Sequence, residues 1–294
     1  AGGSIYTIKK FADEAGKVAS AQGELQSLGM SAPDIEKVSE MSRGIAIEYA
    51  GFNQDELIKS TYDLKSGMSH LDGNALSGML KASALTAGGT KAEIQTITGL
   101  MASGYGIYRE GFDKIGSTAI EGWNKISEAE KDIEFGKYLM GGIAAATKAF
   151  KTDGVEMASG IKSLGRNAET SGVSMAEQFA VLGMLQKSGK SGSESSTMYK
   201  AFLKSAVKAG GSLDLDLTDE NDQLLSSDKI IDKIKEKYGQ VLDDVEKAEL
   251  TKAFGSAEAS GFITLLYTES EAIKENTSLI SSGMKNGQST YADT

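Results

Sequence analysis

The stretch "SGVSMAEQFAVLGMLQKSGKSGSESSTMYK" (Ser171–Lys200) has the pattern of two helices joined by a short turn. Ser174 is a residue type preferred at a helix N-cap, and Glu177 follows at the position that completes a capping box. The first helix is predicted to end before Gly189, because glycine readily takes the left-handed conformation that closes a helix. The stretch therefore predicts packed helices separated by capped turns.

The turn itself lies in "GMLQKSGKS" (Gly183–Ser191), which looks like a phosphate-binding P-loop. A P-loop has four residues between its first glycine and the Gly-Lys-Ser, whereas five separate Gly183 from Gly189. Met184 occupies the position at which the first glycine belongs. A P-loop also follows a buried strand, and here a helix is predicted instead. We therefore predict an interhelical turn and no nucleotide site.

The composition favours a soluble helical protein. Of 294 residues, 35 are glycine and one, Pro33, is proline, so helices are expected to end at glycine more often than at proline. Without cysteine, the chain can form no disulfide, thiolate metal site or cysteine nucleophile. A formal charge of −10 argues against binding to nucleic-acid phosphates.

One further feature concerns membrane interaction, and two concern the N-terminal part of the chain. The most apolar window, Leu139–Ala149, is too short and too polar to span a bilayer, so membrane interaction is not expected. The chain starts at Ala1 rather than at methionine, so we expect it to be a piece of a longer protein. Near its start, a helix is predicted over Ile5–Leu28, with Gly29 as its C-cap and Ser31 as the N-cap of the next helix.

Residues 50–89 and 171–211 resemble each other, which suggests an internal duplication. Each begins with glycine, an apolar residue and a capping residue, and glutamate follows three positions later. The matched landmarks are Asn53…Glu56 with Ser174…Glu177, Lys65-Ser66-Gly67 with Lys187-Ser188-Gly189, Gly88-Gly89 with Gly210-Gly211, and Lys91–Gly106 with Lys247–Phe262. We therefore predict a helical unit in two copies, the second of which carries an insertion.

The predicted fold class is mainly α, a multi-helix domain with this duplication and one short β-hairpin insertion. Apolar and acidic residues alternate in "SLDLDLTDENDQLLS" (212–226), as in a short hairpin. The predicted segments are 1–49, N-terminal helices; 50–108, the first copy; 109–170, central long helices; 171–265, the second copy with its hairpin at 212–226; and 266–294, a C-terminal helix cut short. In the central segment, the expected apolar stripe consists of Phe112, Ile115, Ala119 and Trp123.

The acidic residues of the predicted hairpin raise the possibility of a calcium site. Asp214, Asp216 and Asp219 lie close together, but Asp219 occupies the position at which an EF-hand loop needs glycine. An acidic hairpin tip is the favoured interpretation, and weak adventitious cation binding stays open.

Two other residues could carry chemistry. His70 is the single histidine, and Ser69 and Asp72 lie within the same short turn, whereas a catalytic triad is assembled from separate elements. A loop histidine is therefore expected. Glu258, in "EASGF", faintly resembles the catalytic glutamate of lytic transglycosylases, although Ala259 interrupts that motif.

The remaining conspicuous residues have structural interpretations. Trp123 is interpreted as an anchor of the central helix. Six methionines at helical apolar positions are interpreted as core residues: Met30, Met41, Met68, Met79, Met101 and Met184. We predict no catalytic, cofactor-binding or metal-binding residue and no cofactor.

From Glu169 onward the chain resembles the core region of bacteriophage tail tape measure proteins. The resemblance rests on "TSGVSMAEQFAVLGMLQKSGKSGSESSTMYKAFLKSAV" (Thr170–Val207), followed by the strand-like "LDLDLTDENDQLL" and the helix Asp228–Gly239. It continues through "LDDVEKAELTKAFGSAEASGFITLL" (Leu242–Leu266). Lys200 or Lys204 stands where the family has an arginine.

This resemblance implies a structural, non-enzymatic segment of a phage or prophage tail. Tape measure proteins are mostly helical polypeptides inside the growing tail tube, and their length sets the number of tube rings. The implied partners are the tail tube protein, tail assembly chaperones and baseplate or tail-tip proteins, with several copies per tail. The implied locations are the lumen of the virion tail and, during assembly, the host cytoplasm.

Two alternatives remain open at this stage. One is a peptidoglycan-hydrolase module that uses Glu258 as its acid, which a lysis assay would detect. The other is a helical secreted interaction module, which the alanine- and glycine-rich, cysteine-free composition also permits. Neighbouring tail genes would favour the tape measure interpretation over this second alternative.

Overall fold

The computed structural model describes residues 2–287, with the side chains of residues 9, 10 and 12–287. These residues form twelve α-helices, two short 3₁₀ turns and no strand. The mainly α class predicted from the sequence is therefore confirmed for this part of the chain. The helices form two compact units, and the division falls inside the sixth helix, after Met140.

The first unit contains five complete helices and the beginning of a sixth. Their bounds are α1 Gly2–Ser27, α2 Ala32–Glu48, α3 Gln54–Gly67, α4 Gly73–Thr90, α5 Ile94–Ala119 and α6 Glu128–Phe150. Helix α3 packs against α1, α2, α4 and α5. Its central place agrees with the complete burial of Leu57, Ile58 and Leu64.

The second unit, Gly141–Asn286, contains the rest of α6 and six further helices. These are α7 Gly154–Leu164, α8 Met175–Lys187, α9 Gly192–Ser212, α10 Ser227–Tyr238, α11 Asp244–Phe254 and α12 Ala257–Asn286. Helix α9 packs against α7, α8, α11 and α12, and α12 also packs against α8 and α10. Aromatic rings join three of them, because Phe202 of α9 stacks on Phe254 of α11 and makes a tilted ring contact with Phe262 of α12.

A Gly-x-Ser sequence ends one helix and starts the next in the turn predicted from the sequence. Gly189 has φ +91°, and its N–H donates to the Gln186 carbonyl at 2.9 Å, while the Lys190 N–H donates to the Leu185 carbonyl at 3.1 Å. This pair of bonds is a Schellman motif. Ser191 then accepts from the Glu194 N–H and caps α9. The predicted left-handed turn at Gly189 is confirmed.

The same combination of a left-handed glycine and a helix-capping serine two residues later occurs twice more. Gly29 (φ +76°) closes α1 and Ser31 caps α2, as predicted, with Pro33 in the first turn. Gly172 (φ +77°) precedes Ser174, which caps α8. In each case the glycine N–H and the next N–H bond to carbonyls of the preceding turn.

The capping boxes lie at other places than predicted. Asn53 makes no side-chain capping bond. Ser174 does cap α8, but the Glu177 carboxylate accepts from the backbone of Ser227 instead of returning to Ser174. Reciprocal capping boxes occur at Ser191 with Glu194, and at Asp243 with Glu246. The prediction was wrong for residues 53–56 and 174–177.

The internal duplication is not supported, because matched residues have different conformations. Gly67 is the last residue of α3, whereas Gly189 lies in a left-handed turn. Residues 94–106 lie within the continuous helix α5, whereas the matched segment 247–262 is broken between α11 and α12 at Gly255 (φ +73°). The similarity follows the recurrence of glycine and small polar residues rather than a repeated unit.

The predicted β-hairpin is also not supported. Within the described residues, the loop after α9 forms one isolated antiparallel bridge, between Thr218 and Leu224, and no strand. The reason is local: the left-handed Asp214 (φ +53°) precedes one arm and α10 begins at Ser227 after the other, so few extended residues remain for a ladder. Of its alternating leucines, Leu213 and Leu217 are buried, and Leu217 packs beside Gly210.

The apolar stripe predicted for a long central helix is interrupted. Helix α5 ends at Ala119, and Trp123 lies in a 3₁₀ turn that follows the left-handed Gly122. The indole folds back onto α5, with its centroid 5.4 Å from that of Phe112. Trp123 is thus a buried anchor, as predicted, but it is not part of the helix. Five of the six methionines are buried, and Met41 is half-buried.

Two glycines of α5 provide a matched test of this packing. A Cβ on Gly116 would lie 2.6 Å from the Trp123 ring, whereas a Cβ on Gly106 meets no atom within 4 Å. We expect Gly116→Ala to lower the free energy of unfolding by about 1–3 kcal/mol through overpacking. Gly106→Ala should raise it by up to about 1 kcal/mol through helix propensity. Urea unfolding followed by circular dichroism measures both, and equal effects of the two variants would contradict the described packing.

Candidate functional site

His70 lies in the turn between α3 and α4, as expected from the sequence, and does not form a triad with its neighbours. Asp72 instead caps α4 by accepting from the Ala75 N–H at 2.9 Å. The backbone carbonyl of Ser69 accepts from the Lys65 ammonium at 2.6 Å. The His70 Nε2 lies 2.9 Å from the Tyr105 hydroxyl, so its partner comes from α5.

The contact between His70 and Tyr105 belongs to a polar cluster that also contains Arg109 and Asp132. Asp132 of α6 is buried, and its Oδ1 accepts from the Tyr105 hydroxyl at 3.1 Å and from Arg109 Nε at 2.6 Å. The His70 Nε2 lies 4.0 Å from Asp132 Oδ2. The cluster therefore joins the α3–α4 turn, α5 and α6 through side chains.

Two more carboxylates surround the guanidinium. Arg109 Nη1 donates to Asp113 at 2.9 Å, and Nη2 lies 3.5 Å from Glu128. Desolvation opposes the charge on Arg109, but the hydrogen bond and the negative charge of Asp132 outweigh it and raise the pKa of Arg109. The guanidinium is thus held charged by three carboxylates.

The Tyr105 hydroxyl is protonated at physiological pH. Burial, together with the nearby Asp132 charge and hydrogen bond, raises the pKa of Tyr105 to about 12. A general base works best when its pKa lies near the operating pH, so Tyr105 does not meet that condition. The geometry supports a structural role for the cluster of His70, Tyr105, Arg109 and Asp132, which links the α3–α4 turn, α5 and α6. We name this cluster the clasp.

A second buried carboxylate lies in the other unit. Glu177 of α8 is buried, and its Oε1 accepts from the backbone N–H of Ser227 at 2.7 Å. Ser227 is the first residue of α10, whose N-cap residue Ser226 makes no side-chain capping bond. Glu177 thus supplies the cap that α10 lacks. Desolvation is the main cause that raises the pKa of this carboxyl, and the bond to Ser227 opposes the shift.

Glu258, the candidate acid, lies at the start of α12 and is exposed to solvent. It lines an open groove of about 510 Å³ between the starts of α9 and α12, together with Lys190, Glu194 and Met198. The catalytic acid of a glycosidase lies in an apolar pocket, whereas Glu258 is exposed in a groove that is open to solvent.

The P-loop-like stretch, Gly183–Ser191, contains residues with two different structural roles. Gly183 lies inside α8, where a Cβ would clash with the Phe150 ring, so glycine permits close packing of α6. Gly189, Lys190 and Ser191 form the turn described above. A helix precedes the Gly-Lys-Ser, which is incompatible with the strand-loop-helix geometry of a P-loop.

Two carboxylates of the acidic loop each use one oxygen in local hydrogen bonds. Asp216 Oδ1 accepts from the Thr218 N–H and hydroxyl, and the bond to the N–H is the main cause that lowers the pKa of Asp216. Asp219 Oδ1 accepts from the N–H groups of Asn221 and Gln223. Over the part of the chain that the structure describes, no group of three or more acidic or histidine side chains could hold a metal ion.

Tyr105, Arg109 and Asp132 were not identified from the sequence. Tyr105 and Arg109 are four residues apart and so lie on one face of α5, which is a detectable signal. Asp132 comes 23 residues after Arg109, and only the packing of α6 brings the two together.

The comparison with protein-family models matches residues 36–255 to a family described as phage-related minor tail protein. The match spans well over half of the 294 residues. The chain belongs to the phage-related minor tail protein family. Comparisons with curated proteins and with solved structures each found no match.

Membership of this minor tail family indicates a structural role in a phage tail, and therefore association with the virion and with other tail components. The tail interpretation of the sequence is confirmed at this level. Within residues 2–287, no helix is long and apolar enough to cross a membrane.

The clasp can be tested against a surface ion pair of α6. Removing the charge of Arg109 leaves the buried Asp132 unpaired, so Arg109→Met should lower the free energy of unfolding by about 3 kcal/mol. Lys137 pairs with Glu134 at 2.6 Å near the surface, and Lys137→Met should cost less than about 1 kcal/mol. Urea unfolding of the two variants makes the comparison. Similar losses of unfolding free energy in the two variants would show that the pair with Arg109 does not stabilise the buried Asp132.

The buried Glu177 should make stability depend on pH in a definite direction. A carboxyl with a raised folded-state pKa contributes stability below its ordinary value of 4.5 and loses it as pH rises through the folded pKa. The Glu177→Gln amide oxygen can still accept from Ser227 without a buried charge. We therefore expect this variant to match wild type near pH 4 and to be at least as stable at pH 7.

Glu177→Ala is the control, because it leaves the Ser227 N–H without its partner and should cost about 1–3 kcal/mol at both pH values. Unfolding curves at pH 4 and pH 7 measure the difference. A Gln variant that loses stability relative to wild type as pH rises would refute the buried-charge account.

Proposed function

We propose that this minor tail family member is a segment of a tail tape measure protein, which helps to set tail length and to assemble the tail tube. The observation that carries the proposal is the family match over residues 36–255. The capped-helix pattern of Thr170–Val207, which lies within the matched residues and resembles the tape measure core, also supports it.

The physical basis of the proposed function is the fixed rise of a helix. An α-helix advances about 1.5 Å per residue, so the residue count of a helical polypeptide can specify a length. The described residues are mostly helical, which supports such a role. The short turns at Gly29, Gly172 and Gly189 interrupt the helices, so the proposal includes an extended arrangement of the same chain inside the tube.

We also propose that the segment is not an enzyme and uses no cofactor. The exposed position of Glu258 supports this, as does the pairing of Asp132 with Arg109. The proposed partners are the tail tube protein, assembly chaperones and baseplate or tail-tip proteins, with several copies in one tail. A turbidity assay on peptidoglycan should detect no lysis by this chain, and lysis lost in Glu258→Gln would overturn the non-enzymatic part of the proposal.

The length role is tested in a phage that carries the full gene. An in-frame deletion of α7–α11, Gly154–Phe254, should shorten tails in electron micrographs by up to about 1.5 Å per deleted residue, and a tandem duplication should lengthen them equally. Replacing the same segment by an unrelated helical sequence of equal length is the matched control and should keep tail length. Tails of unchanged length in the deletion and in the duplication would contradict the proposal.

A further inference from the structure

Helix α9 has a charge pattern opposite to that of the whole chain. The chain carries a formal charge of −10, but no acidic residue occurs between Glu194 and Asp214. Within that interval Lys200, Lys204 and Lys208 recur every four residues. Residues at this spacing lie on one face of a helix, so α9 carries a row of positive charge.

This row lies on the solvent side of α9. Phe202, on the opposite side of the helix, is fully buried, whereas Lys204 and Lys208 are exposed. Val207 lies on the same side as the lysines and is 59% exposed. We name Lys200, Lys204, Val207 and Lys208 the lysine face.

Most of the lysine face has no partner within the described chain. Lys200 Nζ donates to the Ser163 carbonyl of α7 at 2.9 Å, which fixes one end of the row. Among the residues that the structure describes, neither Lys204 nor Lys208 forms an ion pair. An exposed valine between two unpaired lysines is a surface that fits an acidic polypeptide segment with some apolar character.

The same unit presents a segment with the complementary charge. The loop between α9 and α10 contains five carboxylates and no lysine or arginine, and we name these carboxylates the acidic tip: Asp214, Asp216, Asp219, Glu220 and Asp222. All five residues are exposed. The local turn uses only Oδ1 of Asp216 and of Asp219, so each keeps a second oxygen for another donor.

We propose that the lysine face of one copy of this chain binds the acidic tip of a second copy. The inference rests on the proposed function, because the contact joins the several copies of the chain that the function places in one tail. The two surfaces differ, so the contact is heterologous and can continue from copy to copy. No ion pair joins them within the described copy, so both are available to a neighbour.

A second copy fits the lysine face better than a nucleic acid does. The net charge of −10 repels a phosphate backbone and a second copy alike at long range, so the local match decides, and the acidic tip places five carboxylates on one short loop. The exposed Val207 between Lys204 and Lys208 also favours a protein surface over phosphates. Self-association through these charges should weaken as salt is raised, because exposed charges are screened.

A charge-swap experiment on the whole chain tests the contact. Lys204→Glu/Lys208→Glu reverses the lysine face, and Glu220→Lys/Asp222→Lys reverses the acidic tip. Lysine can take the left-handed φ needed at position 222, because Lys91 and Lys151 have φ +55° in this chain. In sedimentation velocity at low salt, each variant alone should associate at least about tenfold more weakly than wild type.

Mixing the two variants should restore association, because each reversed surface then meets a complementary one. Lys229→Glu/Lys252→Glu is the matched control, with the same charge change at exposed lysines outside the lysine face, and should associate like wild type. Circular dichroism verifies that all three variants are folded.

Failure of the mixture to associate would overturn the proposal, as would a wild-type chain that stays monomeric in low salt. Lysine-face variants that lose binding to a DNA duplex while keeping self-association would overturn it in favour of nucleic acid. Tail length in the deletion phage is an independent measurement, so failure of this contact leaves the tape measure proposal intact.

Discussion

The left-handed conformation of single glycines sets three of the turns that precede helices, one in the first unit and two in the second. At Gly29, Gly172 and Gly189 the chain reverses into a Schellman motif, and a serine two residues later caps the next helix. An L-residue takes this conformation at a cost of about 1–2 kcal/mol, so the position of each turn is specified by sequence. The packing of α1 with α3, and of α7 with α9, depends on these turn positions.

Buried polar groups add interactions between helices that are distant in sequence. Arg109 and Asp132 join α5 to α6, and Glu177 of α8 caps α10. Such groups are costly to leave unpaired, so they favour one arrangement of helices over other apolar packings. Both groups link helices, which fits the structural role that the minor tail family indicates.

Local signals in the sequence predicted the helical class and the turn chemistry. Ser31, Ser174 and Gly189 act as expected, because capping and left-handed turns depend on a few adjacent residues. The duplication did not follow from the same signals, since similar glycine and lysine patterns adopt different conformations at Gly67 and Gly189.

Interactions between distant residues could not be predicted in the same way. The sequence suggested that Glu177 completes a capping box beside Ser174, but the packing of α10 offers it the Ser227 N–H instead. The Asp132 clasp likewise appears only when α6 lies on α5. The alternating "LDLDL" pattern predicted a hairpin, but the left-handed Asp214 and the start of α10 at Ser227 leave room for a single bridge.

The most direct test of this account is the free energy of unfolding of the Gly189→Ala variant. A Cβ at Gly189 meets no atom within 4 Å, so the measurement reports backbone conformation alone. Because the φ of Gly189 is +91°, the account predicts a loss of about 1–2 kcal/mol. If α8 and α9 formed one continuous helix, alanine would instead add about 1 kcal/mol, and that gain would contradict the account.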